Sequence, residues 1–340
     1  MREAAARLGA ARRPVILAGG GARWAEAPLT ALAEALDAPV VQTVNARGLM
    51  RGHPLAVPAS PSLGPVRGLL AEADAVLVLG SEMGPTDLDM DLDGGFPDLA
   101  GLVRVDRDAQ RLASGPAGLG ILADAAEAAA ALAARLPLRQ GGEGATRAAR
   151  TREAARAALL PGPARCLAVL ETIREALPEA VVMGDSTEPV YAGNLFFEAG
   201  QPGGWANSAT GFGTLGWALP AAIGAALADP ARPVIALAGD GGLQFTLSEL
   251  GTLADEQAPV ILLVWNNAGY REIEMAMRAA GAEPLGVRPT PPDFVAVARA
   301  WGIAAERITA LADLPGRLQA AARRGGPTLI DLPAALVHEG

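Results

Sequence analysis

A carboxylate and a pair of amides, set among glycines, are the first residues in this chain whose spacing could do chemistry. Gly239-Asp240-Gly241-Gly242 is followed by Asn266-Asn267, with 24 residues between Gly241 and Asn266. Residues 234–238 form a short apolar run closed by glycine, which reads as a buried strand. Leu243, Leu247, Leu250 and Ala254 recur at helical spacing, and residues 260–265 read as a second buried strand. Strand, glycine turn, helix and strand make one βαβ unit, whose strand ends open on the same ligand-bearing edge of a parallel sheet. Asp240 and Asn267 are therefore expected side by side. A carboxylate, an amide oxygen and a nearby backbone carbonyl form an all-oxygen set that suits Mg²⁺, which takes few carboxylates and keeps room for phosphate oxygens. Backbone N–H groups left uncovered by glycine, at a turn that opens a helix, suit a diphosphate.

Two further stretches belong with this one. Gly184-Asp185-Ser186-Thr187-Glu188 follows an apolar run at residues 180–183 and so falls on the same kind of strand end. Asp185-Ser186-Thr187 reads equally well as a ligand-facing cluster or as the cap of a helix. Gly211-Phe212-Gly213-Thr214-Leu215-Gly216-Trp217 leads into an apolar helix in which Gly216, Pro220 and Gly224 would let a neighbour approach closely. Tyr191, Asn194, Phe196 and Phe197 place several of the few aromatic residues near the same edge, as core or as pocket wall.

Gly-Asp-Gly, this spacing and Asn-Asn, together with the Gly213-Thr214-Leu215-Gly216 segment, resemble the cofactor motifs of the thiamine diphosphate-dependent 2-oxo acid decarboxylase and acetolactate synthase superfamily. The resemblance implies that Asp240, Asn267 and the Gly269 carbonyl hold Mg²⁺ against the cofactor diphosphate. Gly239, Gly241, Gly242 and Tyr270 would complete that cradle, with Ser186 and Thr187 donating hydroxyls. It implies that the Gly213 carbonyl accepts the 4′-amino proton of the cofactor's pyrimidine. Leu215 would be the apolar wedge that bends the cofactor and brings that amino group to the thiazolium, where proximity eases proton removal. The activity implied is decarboxylation of a 2-oxo acid on the cofactor's electron sink.

Substrate residues are expected at Glu188 and on the segment after Asn267. Glu272 and Glu274 cannot both face inward, because residues two apart on a helix point about 200° apart. Gly269-Tyr270-Arg271-Glu272-Ile273 looks most like decarboxylases of guanidino-2-oxo acids such as 5-guanidino-2-oxopentanoate, where an acidic side chain could pair with the guanidinium. The Gln-Trp-Gln-like segment of acetolactate synthases is not seen after Asn-Asn, which makes that carboligase the second reading. A cofactor-binding remnant serving only in assembly is a third. The resemblance implies a homo-oligomer, and an activating glutamate on a separate N-terminal pyrimidine-binding domain, usually of a neighbouring subunit. No such unit is recognised here, so that domain is expected from a truncated part of the chain or from another polypeptide, and this chain alone is expected to be inactive.

The elements that must position these residues read as two α/β domains with doubly wound parallel sheets. Residues 1–136 alternate strands at 14–18, 39–43, 75–79 and 102–106 with helices, giving a Rossmann-like central domain. Residues 137–164 read as a linker, with a glycine-rich start and an Ala/Arg helix ended by Pro161-Gly162-Pro163. Residues 165–340 form the diphosphate-binding domain, finished by a helix at 294–301 and a strand at 327–333. Gly19-Gly20-Gly21 invites an FAD or nucleotide reading, but the fingerprint would need glycine where Trp24 stands, so the turn reads as structural. Asp87, Asp89, Asp91 and Asp93 lack the closing glutamate of a calcium loop.

Composition excludes several classes. Apolar residues make up 51% of the 340, enough for two cores. A net charge of −9, carried against arginine alone with no lysine, argues against a nucleic-acid partner. Cys166 is the only cysteine, so no internal disulfide forms, in keeping with a reducing cytoplasm. Only His53 and His338 are present, which rules out a histidine-built metal site. No apolar run reaches membrane-spanning length.

Overall fold

The structure is a computed structural model that describes residues 1–84, 97–139 and 141–338. The aspartates between 87 and 93 lie outside the described residues. Contacts divide the chain into two units, Met1–Leu159 with Asn194–Gly203, and Leu160–Gly193 with Gly204–Gly340.

In the first unit, β1 (Pro14–Ala18), β2 (Val40–Gln42), β3 (Ala56–Val57), β4 (Ala75–Leu79), β5 (Val103–Asp106) and β6 (Leu119–Leu122) form one parallel sheet in the order β3-β2-β1-β4-β5-β6. β1 and β4 are buried along their whole length, as continuous apolar runs covered on both faces must be. The chain reverses its winding between β1 and β4, and here Gly19, Gly21 and Gly80 pack backbone on backbone. A Cβ on Gly19 would lie 2.4 Å from the Gly80 oxygen, and the Gly21 N–H donates to that same oxygen at 2.8 Å. The glycine turn thus serves a close approach of two loops.

The expected linker contains the helix Gly144–Ala157, which belongs to this unit. Arg147 and Arg152 on it donate to the carbonyls of Pro14 and Ala56, so the helix is bound by buried polar contacts that its Ala/Arg composition does not disclose. Pro161 does not end that helix; it opens the next one, Pro161–Ala176, at the first-turn position that tolerates a missing N–H. Asn194–Gly203 joins the first unit because Phe196 bridges to Ala59 and the Asn194 carbonyl accepts from the buried Arg47. Phe196 and Phe197 are accordingly core residues, whereas Tyr191 lines a cleft in the second unit.

The second unit carries β7 (Val181–Gly184), β8 (Trp205–Asn207), β9 (Val234–Gly239), β10 (Val260–Asn266), β11 (Ala304–Arg307) and β12 (Thr328–Pro333), all parallel, in the order β11-β12-β10-β9-β7-β8. The end of the chain holds more than one helix and one strand: β11 and the helix Leu314–Arg324 also intervene. β11 is a short edge strand with no apolar run, and its charged Glu306 and Arg307 suit an unpaired edge. β10 is buried from Val260 to Trp265, so its side chains anchor both faces of the sheet; truncating Leu262 to alanine would cost about 2–5 kcal/mol. In this sheet the winding reverses between β7 and β9, and the carboxyl ends of those strands frame a crevice, the usual ligand position in such folds.

The expectation of a closely packed small-residue stripe holds only at Gly216, where a Cβ would meet Thr246 at 2.8 Å. Pro220 is exposed and a Cβ on Gly224 would meet nothing, because that face of the helix Ala218–Ala228 turns away from its own unit. No helix among the described residues is long and apolar enough to cross a membrane.

Candidate active site

Register builds the site. β9 and β10 pair with Trp265 opposite Gly239, so Asp240 and Asn267 leave adjacent strands at the same level. The Asn267 N–H donates to Asp240 Oδ1 at 3.3 Å. Asn266 is turned the other way: its amide donates to the buried Asp331 at 3.1 Å, and its oxygen accepts from Ala268 N, where the chain takes a left-handed φ of 60°. The asparagine pair therefore divides its work, one residue bracing the turn and the other facing the cleft.

Three strand ends and one loop line that cleft. Ser186, Thr187 and Glu188 come from the end of β7, and Gly239, Asp240, Gly241 and Gly242 from the end of β9. Asn267, Gly269, Tyr270 and Glu272 come from the end of β10, and Leu215 reaches in from the loop before the helix Ala218–Ala228. Gly213 is not in the lining; it is exposed, with a left-handed φ of 76°, and its N–H donates to the Ser208 carbonyl at 3.0 Å. Glu274 is not in it either. It is gripped by Arg278 at 3.0 Å and Arg288 at 2.6 Å, and these cations hold its carboxyl down at about 2. Glu272, two residues earlier, makes no hydrogen bond or ion pair among the described residues. Partial desolvation raises its carboxyl above the ordinary range, and the charge of Glu188 adds to the effect.

Glycine is required at two of these positions by what lies against them. A Cβ on Gly241 would stand 2.5 Å from the Tyr270 ring, and one on Gly269 would stand 2.7 Å from the Val287 carbonyl. That carbonyl also accepts the Tyr270 N–H at 2.8 Å, so the loop behind Gly269 fixes where Tyr270 begins its helix.

Asp240 is 2% exposed. Burial raises its carboxyl above the ordinary range, opposed by the backbone N–H groups of Asn267 and Gly269 that point at it. Two buried oxygens here have no partner, Asp240 Oδ2 and Asn267 Oδ1. An orphaned buried carboxylate oxygen is costly unless a cation or donor meets it. Both atoms are hard oxygen donors on adjoining residues, and that donor chemistry fits Mg²⁺.

Two carboxylates beyond those expected as ligands organise the surroundings. Asp185, fully buried, accepts the Gly216 N–H at 2.6 Å and the Ser186 N–H at 2.9 Å, with Ser208 Oγ at 3.4 Å. Burial pushes its carboxyl up, against those hydrogen bonds. It braces the Leu215 loop and the first turn of the helix Ala218–Ala228 rather than the helix Glu188–Leu195 that follows it in sequence. Ser186 Oγ lies 3.2 Å from Ser208 Oγ on the same brace, and Leu215 Cδ2 lies 3.8 Å from where a Cβ on Gly242 would be. Glu188, expected to face substrate, lines the cleft and receives Trp265 Nε1 at 2.8 Å and Asn267 Nδ2 at 3.1 Å on one oxygen. Its other oxygen meets Arg271 at 3.3 Å, with His338 Nε2 lying 3.4 Å away without a hydrogen bond. Nothing in the local sequence signals these roles, since the partners lie far along the chain.

A switch-point crevice with a buried acidic turn and orphaned oxygen donors is the feature of this α/β domain at which a ligand would sit. Comparison with known proteins sharpens this. Residues 185–332 match the thiamine pyrophosphate enzyme C-terminal TPP binding domain, and residues 1–132 match the central domain of the same enzymes. The chain belongs to the thiamine pyrophosphate enzyme family and carries its central and C-terminal domains. It is 40% identical over 338 residues to a probable 2-ketoarginine decarboxylase of Pseudomonas aeruginosa, covering 98% of this chain and 60% of that protein. It is 29% identical over 342 residues to the acetolactate synthase isozyme 1 large subunit of Escherichia coli, covering 97% of this chain and 60% of that one. Among solved structures, the thiamine diphosphate-dependent 4-hydroxybenzoylformate decarboxylase of Rhodococcus jostii superposes with a TM-score of 0.77 at 25% identity, over 98% of this chain and 63% of that chain. The chain thus spans less than two thirds of the length of each of these relatives.

Proposed function

We propose that this chain forms the diphosphate- and metal-holding part of a thiamine diphosphate- and Mg²⁺-dependent 2-oxo acid decarboxylase whose substrate carries a guanidino group. The observation that carries the reading is the pair of buried, unpartnered oxygens on Asp240 and Asn267 at the Gly-Asp-Gly edge. Asp240, Asn267 and the Gly269 carbonyl would hold the cation. When bound, the cofactor supplies the electron sink that lets a 2-oxo acid lose CO₂. The residues of this chain place and shield. The turn from Gly239 to Gly242, with Ser186 and Thr187, receives the diphosphate. Leu215 presents an apolar side chain over Gly242, and the Gly213 carbonyl, which lies outside the cleft lining, would have to turn inward to accept a hydrogen bond from the pyrimidine amino group.

Glu272 supports the choice of substrate. It is the one acidic side chain in the cleft lining that has neither an ion-pair partner among the described residues nor an expected metal-holding role, and a guanidinium would supply one. The relative from Pseudomonas aeruginosa, named for 2-ketoarginine, supports the same class. A pyrimidine-binding domain, in cis or in trans, would bring the activating glutamate. A reducing cytoplasm fits the single, buried Cys166, whose thiol burial pushes up to about 12, and a homo-oligomer is part of the same proposal.

The test is CO₂ release from a panel of 2-oxo acids, with the pyrimidine-binding domain supplied. Release from 5-guanidino-2-oxopentanoate above that from pyruvate or benzoylformate is expected. Formation of acetolactate from pyruvate as the main product would favour the carboligase instead. Binding of cofactor with no turnover of any 2-oxo acid would leave an assembly subunit.

A further inference from the structure

Glu188 sits at the floor of the cleft, 12% exposed, at the first turn of the helix Glu188–Leu195. One oxygen accepts two hydrogen bonds and the other is paired with Arg271. The Trp265 indole N–H and the Asn267 amide reach the first, and Arg271 and His338 flank the second. A carboxylate so surrounded has little left to offer a substrate.

Its effect on Asn267 follows from what each group can do. A side-chain amide has a donor end and an acceptor end of nearly equal shape, and only its neighbours choose between them. An ionised carboxylate only accepts. It therefore selects the NH₂ end of Asn267 and turns the oxygen away from itself, since the flipped amide would set oxygen against oxygen. That leaves Asn267 Oδ1 as a buried acceptor without a partner, beside a residue that holds a second such oxygen, Asp240 Oδ2.

The carboxylate is itself prevented from swinging. Trp265 is fully buried in β10 and can only donate. The His338 ring packs edge-on against that indole at 5.8 Å, which carries the brace out to the helix Ala335–His338.

We infer that Glu188 is a positioning residue that fixes the Asn267 amide with its oxygen toward a divalent cation. This rests on the metal-holding reading proposed above. Outer carboxylates that orient metal-binding side chains are a general device, and removing one typically weakens metal binding about 10- to 100-fold.

The experiment is a titration of the full chain with Mn²⁺ in the presence of thiamine diphosphate, followed by the electron paramagnetic resonance of free Mn²⁺, for wild type, Glu188→Ala and Glu188→Gln. Glutamine keeps an acceptor for Trp265 and Asn267 and loses only the charge. Glu188→Ala is expected to weaken Mn²⁺ binding about tenfold or more, and Glu188→Gln by less than about threefold. Glu188→Ala binding like wild type, or Glu188→Gln falling as far as Glu188→Ala, overturns the positioning role and leaves the metal site standing. Wild type that binds no Mn²⁺ overturns both. Should Glu188→Ala fail to fold, the side-chain amide protons of Asn267 in wild type and Glu188→Gln decide the matter without any ligand. Slowly exchanging signals shifted by a hydrogen bond are expected in both, and signals of a free amide in either would overturn the inference.

Discussion

Asp185 Oδ2 accepts the Gly216 N–H at 2.6 Å, and this one bond joins the end of β7 to the loop that carries Leu215. Gly216 has a left-handed φ of 85° and no space for a Cβ beside Thr246, so the loop can present this N–H only with glycine there. Asp185→Ala leaves the buried N–H without an acceptor. A stability loss of about 1–3 kcal/mol is expected in urea denaturation, with weaker retention of thiamine diphosphate. Asp185→Asn keeps an acceptor and is expected to lose less of both. Equal behaviour of the two variants would show that the hydrogen bond is not what matters.

Gly241→Ala drives a Cβ to 2.5 Å from the Tyr270 ring. The ring must swing away from the turn, and overpacking of this kind costs about 1–3 kcal/mol. Adding Tyr270→Ala removes the obstacle. The double variant is expected to recover most of the thermal stability lost by Gly241→Ala, and the non-additivity of the cycle measures the contact.

Glu272→Gln removes the charge proposed to meet a guanidinium. With a guanidino-2-oxo acid, kcat/KM is expected to fall about 10- to 100-fold, the worth of a hydrogen bond to a charged group. With benzoylformate or another uncharged 2-oxo acid it should change little. A uniform fall across the panel would instead point to damage of the cofactor site.

The Glu274 carboxyl, held at about 2 by Arg288 and Arg278 against an ordinary 4.5, makes stability depend on pH in a definite direction. A group depressed in the folded state is stabilising above its unfolded value, and the contribution disappears as pH falls through the folded one. Wild type should therefore lose stability relative to Glu274→Gln as pH is lowered from about 5 toward about 2, with the gap smaller in high salt because the arginines are exposed. Denaturation of both proteins across that range is the measurement.

The Asp240–Asn267 edge was legible in the sequence because two apolar runs of strand length flank a glycine turn, and parallel pairing then places their ends together. Register does the rest, setting Trp265 opposite Gly239. What Asp185 and Glu188 do was not legible. Their partners lie 31 positions away at Gly216 and 77 and 79 away at Trp265 and Asn267, and periodicity carries no information on which way a hydrogen bond points. Glu272 and Glu274 were separable only as a pair that must diverge; Arg288, 14 positions on, decides which one is taken. The helix Gly144–Ala157 read as linker for a similar reason, since its arginines bind carbonyls more than 90 positions away rather than an apolar face.

The doubled winding of this chain also bears on redesign. At the reversal between β1 and β4, the amide a phosphate would seek is already donated by Gly21 to the Gly80 carbonyl. A cavity of about 600 Å³ lined by Gly20, Gly21, Asn45, Ser81 and Asp124 already lies at this edge, so a dinucleotide fingerprint grafted onto residues 19–24, with glycine in place of Trp24, would find space but not that amide. The change to make is in the loop after β4, where moving the Gly80 carbonyl would free the Gly21 amide to face that cavity.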